Sequence, residues 1–186
     1  MPPQEVKKKR KRWVTILPSS HFRVPEIGET LTADPSLLVG RTVTVNLMDL
    51  TRDPKKQNLK ITFKITEIKD NRALTEIKKY QMLPSSIKRM VHQGKSKADS
   101  SFILETKDKL KVKIKPVIVT RAKTARSILT KIRKETQDFL AIAVKNQTFS
   151  ELINSLLNFK IQTQLKQHLR KIYPITVCHI RLLEKQ

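Results

Sequence analysis

The stretch KLKVKIKPVIVTRAKTARSILTKIRK, residues 109–134, decides how the rest of the chain is read. It holds ten Lys/Arg and no Asp or Glu in 26 residues. Its first part alternates strictly, with Lys109, Lys111, Lys113 and Lys115 in one set of positions and Leu110, Val112 and Ile114 in the other. Successive side chains of a strand point to opposite faces. The pattern therefore predicts four ammonium groups in a row, roughly 6.6 Å apart, above an apolar face. The period then changes. Ala125, Ile128, Leu129, Ile132, Phe139 and Ala143 recur at helical spacing, which predicts an amphipathic helix running to about Asn146. Arg126, Thr130, Arg133, Lys134 and Gln137 take its other side. A lysine-bearing strand face also serves edge strands, which use it to avoid pairing with other sheets. Edge protection does not require the start of the following helix, up to Lys134, to be free of acids, so a track for a polyanion is the stronger reading.

The whole chain carries the same bias. Its 186 residues suffice for one domain or two small ones with a real core. Lys+Arg number 39 against 16 Asp+Glu, a net charge of +23. Residues 1–12 account for six of the bases and one acid, so the remaining 33 bases and 15 acids leave +18. Such a body repels itself, and a partner bearing phosphates relieves the repulsion while releasing condensed counterions. A membrane surface also attracts bases but wants an amphipathic helix with large apolar anchors, which is not seen. No apolar run approaches the ~20 residues of a membrane span. No apolar segment follows the basic start, so a signal peptide is not expected. The single Cys178 cannot form an internal disulfide, lies in an apolar run and reads as a core residue of an intracellular protein.

Upstream of the decisive stretch the elements read mainly as strands. Residues 1–12 (MPPQEVKKKRKR) form a basic arm without periodicity. Such an arm orders on a phosphate backbone, although a targeting or solubilising run has the same composition. Trp13 to Leu17 reads as a first strand, His21 to Val24 as a second pairing segment, and residues 26–40 as a loop or irregular edge. Val43, Val45 and Leu47 alternate with polar residues. So do Leu59, Ile61, Phe63 and Ile65, beyond a turn at 49–54, which predicts two half-buried antiparallel strands. Asp70-Asn71 turns the chain into a strand from Ala73 to Tyr80. Pro84 opens a short helix near 84–92, and residues 93–99 connect it to a strand at Phe102 to Thr106. Lys107-Asp108 is the turn of a hairpin whose second strand is the lysine-striped one.

Downstream the chain is mostly helical. Thr148-x-x-Glu151 is a capping box ahead of Leu152, Ile153, Leu156 and Leu157. A third helix carries Ile161, Leu165, Leu169 and Ile172 and ends at Tyr173-Pro174. Ile175 to Leu183 is a last strand. The organisation expected is a basic arm (1–12), a β-rich domain (13–120) and an α-rich domain (121–186), an α+β fold.

Catalytic motifs are absent. Neither a P-loop nor a dinucleotide fingerprint occurs among three glycines. His21, His92, His168 and His179 are scattered and have one thiol for company, so no zinc ligand set forms. Asp49 and Asp53 could suggest a metal-dependent nuclease, but acids beside Arg52 and Pro54 in a turn usually cap it. The aromatics are spread out, with Phe63, Phe102 and Phe139 at core positions, so no stacking platform is expected. The contacts expected are with backbone and shape, not with bases.

Several segments in order resemble the archaeal and eukaryotic small-subunit ribosomal protein family S-one-e (S-three-A-e). They are the basic run before Trp13, IGETL (27–31), VGRTVTVNLMDLTRD (39–53), ITFKI (61–65), ETKDKLKVKIKPVIVT (105–120), SILTKIRKE (127–135) and RKIYPI (170–175). The length is similar to that of archaeal members. Lys109 stands where the family usually has Gly, and the segment after Thr75 departs from its pattern. The resemblance implies an antiparallel β-barrel-like N-terminal part and an α-rich C-terminal part ending in a strand. It further implies a cytoplasmic, ribosome-associated protein with no enzymatic role, cofactor or metal. Its place would be on the small-subunit platform near the mRNA exit, touching rRNA and neighbouring ribosomal proteins, with contact to mRNA at the exit left open. The residues expected on phosphates are Lys7, Lys8, Lys9, Arg10, Lys11 and Arg12 of the arm, Lys109, Lys111, Lys113 and Lys115 of the strand, and Arg121, Lys123, Arg126, Lys131, Arg133 and Lys134 of the helix. The rival from another class is a DNA-packaging protein, which would need apolar wedges beside the basic face.

Overall fold

The computed structural model of the chain describes residues 10–22 and 24–186. Lys7, Lys8 and Lys9 of the arm, and Arg23, lie outside the described residues. The chain is a mixed α+β protein that divides into two compact units. One comprises the chain up to Gln57 with Ile61–Lys78, the other Asn58–Lys60 with Lys79–Gln186.

The first unit begins with β1 (Arg12–Ile16) and β2 (Gly28–Thr32), paired antiparallel along their whole length. Of the loop or irregular edge expected over 26–40, residues 28–32 form β2, an edge strand of the sheet. It is easily overlooked, because only Thr32 of its five residues is buried and the in-out contrast is weak. His21 lies in a turn, its Nδ1 3.0 Å from Ser19 Oγ, and not in a pairing segment. β3 (Thr42–Asn46) leads into α1 (Leu47–Thr51), a single helical turn that takes Leu47 from the expected strand and begins the turn expected at 49–54. Asn46 caps it by accepting the Met48 N–H at 3.2 Å.

β4 (Leu59–Lys69) buries Leu59, Ile61, Phe63 and Ile65 in strict alternation. Asp70 and Asn71 both have positive φ, 47° and 60°, the two-residue turn that suits the twist of a hairpin. β5 (Arg72–Met82) follows and pairs with β4. It also takes β1 as a parallel neighbour, Thr15 beside Arg72 and Ile16 beside Ala73. The core here is Val14, Ile16, Leu38, Ile65 and Ala73, with Ile27, Val43 and Ile68 against it.

Within this unit the order is β3-β4-β5-β1-β2, and β2 and β3 do not pair with each other. Among the described residues the sheet is open, so the barrel-like, all-antiparallel expectation is corrected on both counts. Closure needs tilted strands with continuous stagger. The two end strands are only five residues long, and β1 meets β5 over two residue pairs.

In the second unit α2 (Pro84–Met90) follows β5, then β6 (Lys97–Asp99), β7 (Phe102–Glu105) and β8 (Lys111–Thr120). Three helices come next: α3 (Arg126–Lys145), α4 (Phe149–Leu157) and α5 (Lys160–Arg170). β9 (Ile175–Lys185) returns between β8 and the end of β5, antiparallel to both. α3 packs on β6, β7 and α5, and α5 packs on β9. The α3 stripe is Ile132, Thr136, Leu140 and Val144. Thr136 is admitted to it because its hydroxyl donates to Ile132 O at 2.6 Å. The capping box forms as read, with Thr148 N–H on Glu151 Oε2 at 2.9 Å and Glu151 N–H on Thr148 Oγ1 at 3.3 Å. Among the described residues no helix is long and apolar enough to cross a membrane.

Candidate nucleic-acid interface

The lysine strand lies inside its sheet. β8 pairs with β6 and β7 on one side and with β9 on the other, so protection of an edge does not explain its lysines. Lys111, Lys113 and Lys115 emerge on one face while Val112 and Ile114 are buried on the other, as the alternation requires. Lys111 is exposed; Lys113 and Lys115 are half-buried.

Lys109 does not continue the row. It sits in the β7–β8 turn at φ 58°, its N–H donating to Thr106 O at 2.9 Å. A left-handed residue interrupts the pleat, so the expected row of four is a row of three. The face is not acid-free either. Glu105 stands opposite Lys111, and Glu184 opposite Lys113. Lys79 of β5 flanks Glu184 from the far side, giving the cross-strand row Lys79, Glu184, Lys113, Ile103.

Lys109 instead meets other cations. With Lys107 and Lys145 it lines a depression of about 570 Å³, together with Ile103, Glu105 and Ala141. The turn that carries it is anchored twice. Asp108 Oδ2 accepts the Phe149 N–H at 3.0 Å, and the Lys107 N–H donates to Gln147 O at 3.1 Å. Three lysines and a single glutamate line this one concavity, a balance of charge that favours an anion. Lys107 and Lys145 were not among the expected contacts, since the sequence separates Lys109 from Lys145 by a whole helix.

The helical cations divide. Arg126, Lys131, Arg133 and Lys134 are exposed on α3. Lys145 is placed i+11 from Lys134, on the same side, but so is exposed Asp138 at i+4. Glu135 is taken by His168, 3.2 Å away. Arg121 and Lys123 are exposed but precede the helix, which starts at Arg126 and not at 121. The intervening loop is held by Thr120 Oγ1 on Ala122 O at 2.7 Å and by the Thr124 N–H on Ser96 Oγ at 3.0 Å. In the first unit Arg10, Lys11 and Arg12 are exposed at the start of β1.

Among the described residues, no other cluster makes a reaction centre. A cleft of about 380 Å³ between α5 and β9 is lined by Phe159, Lys166, Arg170, Thr176 and His179. Lys166 Nζ spends itself on Thr176 O at 2.7 Å. Burial, and then Lys166, lower the His179 pKa, so its ring is neutral at neutral pH. Burial pushes the Cys178 thiol up to about 12, which removes thiolate chemistry. Asp53 caps a short 3₁₀ turn, accepting the Lys55 N–H at 3.0 Å, as its setting beside Pro54 suggested. Among the described residues no three His, Cys, Asp or Glu side chains gather as metal ligands.

The sequence matches the Ribosomal S3Ae family model over residues 4–185. It is 32% identical to small ribosomal subunit protein eS1 of Halorubrum lacusprofundi over 176 residues, 95% of this chain and 82% of that protein. The protein of the same name from Nanoarchaeum equitans is 35% identical over 89% of this chain and 84% of its own length. That of Methanothermobacter thermautotrophicus is 31% identical over 95% and 92%.

Proposed function

The chain belongs to the Ribosomal S3Ae family, and from that premise we propose that it is a structural constituent of the small ribosomal subunit that holds rRNA through its phosphates. The family is one of ribosomal proteins, and the chain is not an enzyme. The observation that carries the RNA contact is the concavity of Lys107, Lys109 and Lys145 on an anchored turn. Lys107 and Lys109 stand on the anchored turn, Lys145 ends α3, and Glu105 is the one carboxylate of the lining. Lys111, Lys113, Lys115, Arg121, Lys123, Arg126, Lys131, Arg133 and Lys134 extend the cationic surface of the second unit, and Arg10, Lys11 and Arg12 that of the first.

A body of +23 is relieved of self-repulsion by folded RNA, and binding stabilises only the folded chain. The platform near the mRNA exit is the place this reading assigns to it, beside other small-subunit proteins and the emerging mRNA, in the cytoplasm. The test is sedimentation of a native extract through a sucrose gradient at rising salt. The chain is expected with the small subunits and released only at high salt. Recovery in free fractions at low salt, or with duplex DNA, would overturn the reading and favour a DNA-packaging role.

A further inference from the structure

We propose that the outer face of the first unit around Trp13 binds an unpaired nucleotide, the base stacked on the indole and its phosphate held by the cations beside it. The inference rests on the RNA-binding reading above and names a site that reading does not need.

Trp13 is the only tryptophan of the chain, and 61% of it is exposed. It is not at a frayed end. It lies within β1, whose alternate residues Val14 and Ile16 are buried in the core, so the pleat commits Trp13 to the outer face. Directly opposite on β2 is Leu31, itself 41% exposed. Together they form an apolar step left exposed by the described residues of the unit.

Cations flank the step. Arg10 and Lys11 precede it in the chain and are exposed. Thr15, two residues along the same face, is paired with exposed Arg72 of β5. One two-residue rise and one strand spacing put the Arg72 backbone about 8 Å from that of Trp13. Arg72 lines a shallow depression of about 440 Å³ with Leu17, Lys69, Asp70 and Leu74. The acids near it are Asp70, Glu29 opposite Thr15, and Glu67, which holds Lys69 at 3.1 Å. Arg72 is therefore the principal phosphate group, with Arg10 and Lys11 on the other flank.

The dimensions select the occupant. One indole and one leucine are far less than the ~800 Å² per partner of a stable protein interface. They match a single base, whose π-face stacks on an aromatic ring whatever its identity. A cation within one nucleotide's reach of the ring supplies the backbone contact such sites pair with stacking.

The sole tryptophan reports on its own site. The full chain is titrated with a short single-stranded oligouridylate, with inorganic polyphosphate of equal charge, and with an RNA duplex, following Trp fluorescence and the anisotropy of labelled ligand. Oligouridylate is expected to quench the emission and polyphosphate to bind without quenching. Trp13→Ala should weaken single-strand binding on the order of five- to a hundredfold, Trp13→Phe should retain most of it, and both should bind the duplex as the parent does. Arg72→Gln should lower the salt slope for the single strand by about 0.7. Absence of quenching, or a Trp13→Ala chain that binds the single strand as tightly as the parent, overturns the site. If the parent still binds duplex RNA with a steep salt slope, the ribosomal reading survives. If the parent binds no RNA, both fall. Quenching by a small-subunit protein in place of RNA would overturn the stacking site.

Discussion

Lys113 stands directly across from Glu184 on the neighbouring strand, in the middle of the surface that the sequence presents as purely cationic. Lys79 flanks the same glutamate from β5. Opposite charges facing each other across strands stabilise a sheet by roughly 0.2–1 kcal/mol, and the same carboxylate opposes an approaching phosphate. Glu184→Gln is therefore expected to lower thermal stability slightly and to tighten rRNA-fragment binding about two- to fivefold. Tighter binding without the stability loss would mean that the pairing contributes nothing. Unchanged binding would mean that this face looks away from RNA.

The two lysine sets should separate in salt. Replacing Lys107, Lys109 and Lys145 by Gln removes three cations around one concavity, and the slope of log affinity against log salt should flatten by about two to three. The same exchange at Lys111, Lys113 and Lys115 should flatten it less, since Glu105 and Glu184 stand opposite two of them. Equal effects would show that the acids leave the strand lysines free for phosphate.

Lys109 is held at φ 58°, where a side chain is strained and glycine is not. Lys109→Gly should raise stability by about 0.5–1 kcal/mol in chemical denaturation while losing one step of the salt slope. This chain has a cation there at the expense of turn strain. A destabilised glycine variant would contradict the turn geometry.

Acid should loosen the start of α4. The Thr148 backbone N–H, and then its hydroxyl, hold the Glu151 pKa below the ordinary value of 4.5. A carboxylate with a depressed folded pKa contributes stability above its unfolded pKa and loses it as pH falls through the folded one. Glu151→Gln should accordingly be less stable than the parent at pH 7, the difference shrinking below about pH 4.5. His179, whose pKa burial lowers, destabilises the fold in the same direction on acidification, so melts of variant and parent are compared at each pH. A gap independent of pH would show that the side-chain charge is not what caps the helix.

Period and caps were legible in the sequence; neighbours were not. The alternation of β4 and the Thr148–Glu151 box are local and appear as read, while the α5 stripe keeps Ile161, Leu165 and Leu169 but ends at Arg170, before Ile172, and takes in Gln162. β6 was missed because three residues carry no period. The parallel contact of β1 with β5 joins residues far apart in the chain, and nothing local specifies it. The strand lysines were found, yet a face assignment cannot say that Glu184 from the last strand would stand among them. Lys145 was missed for the same reason, since only the fold brings it to Lys109. Trp13 reads as the start of a first strand, but only its register beside buried Val14 shows which side of the sheet it takes.

A density map of the native small subunit tests the central claim most directly. The expected result is an rRNA phosphate within about 4 Å of the Lys109 and Lys145 ammonium groups, the range of a direct ion pair. Finding that concavity turned to bulk solvent or filled by a protein segment, with no phosphate nearby, would contradict it.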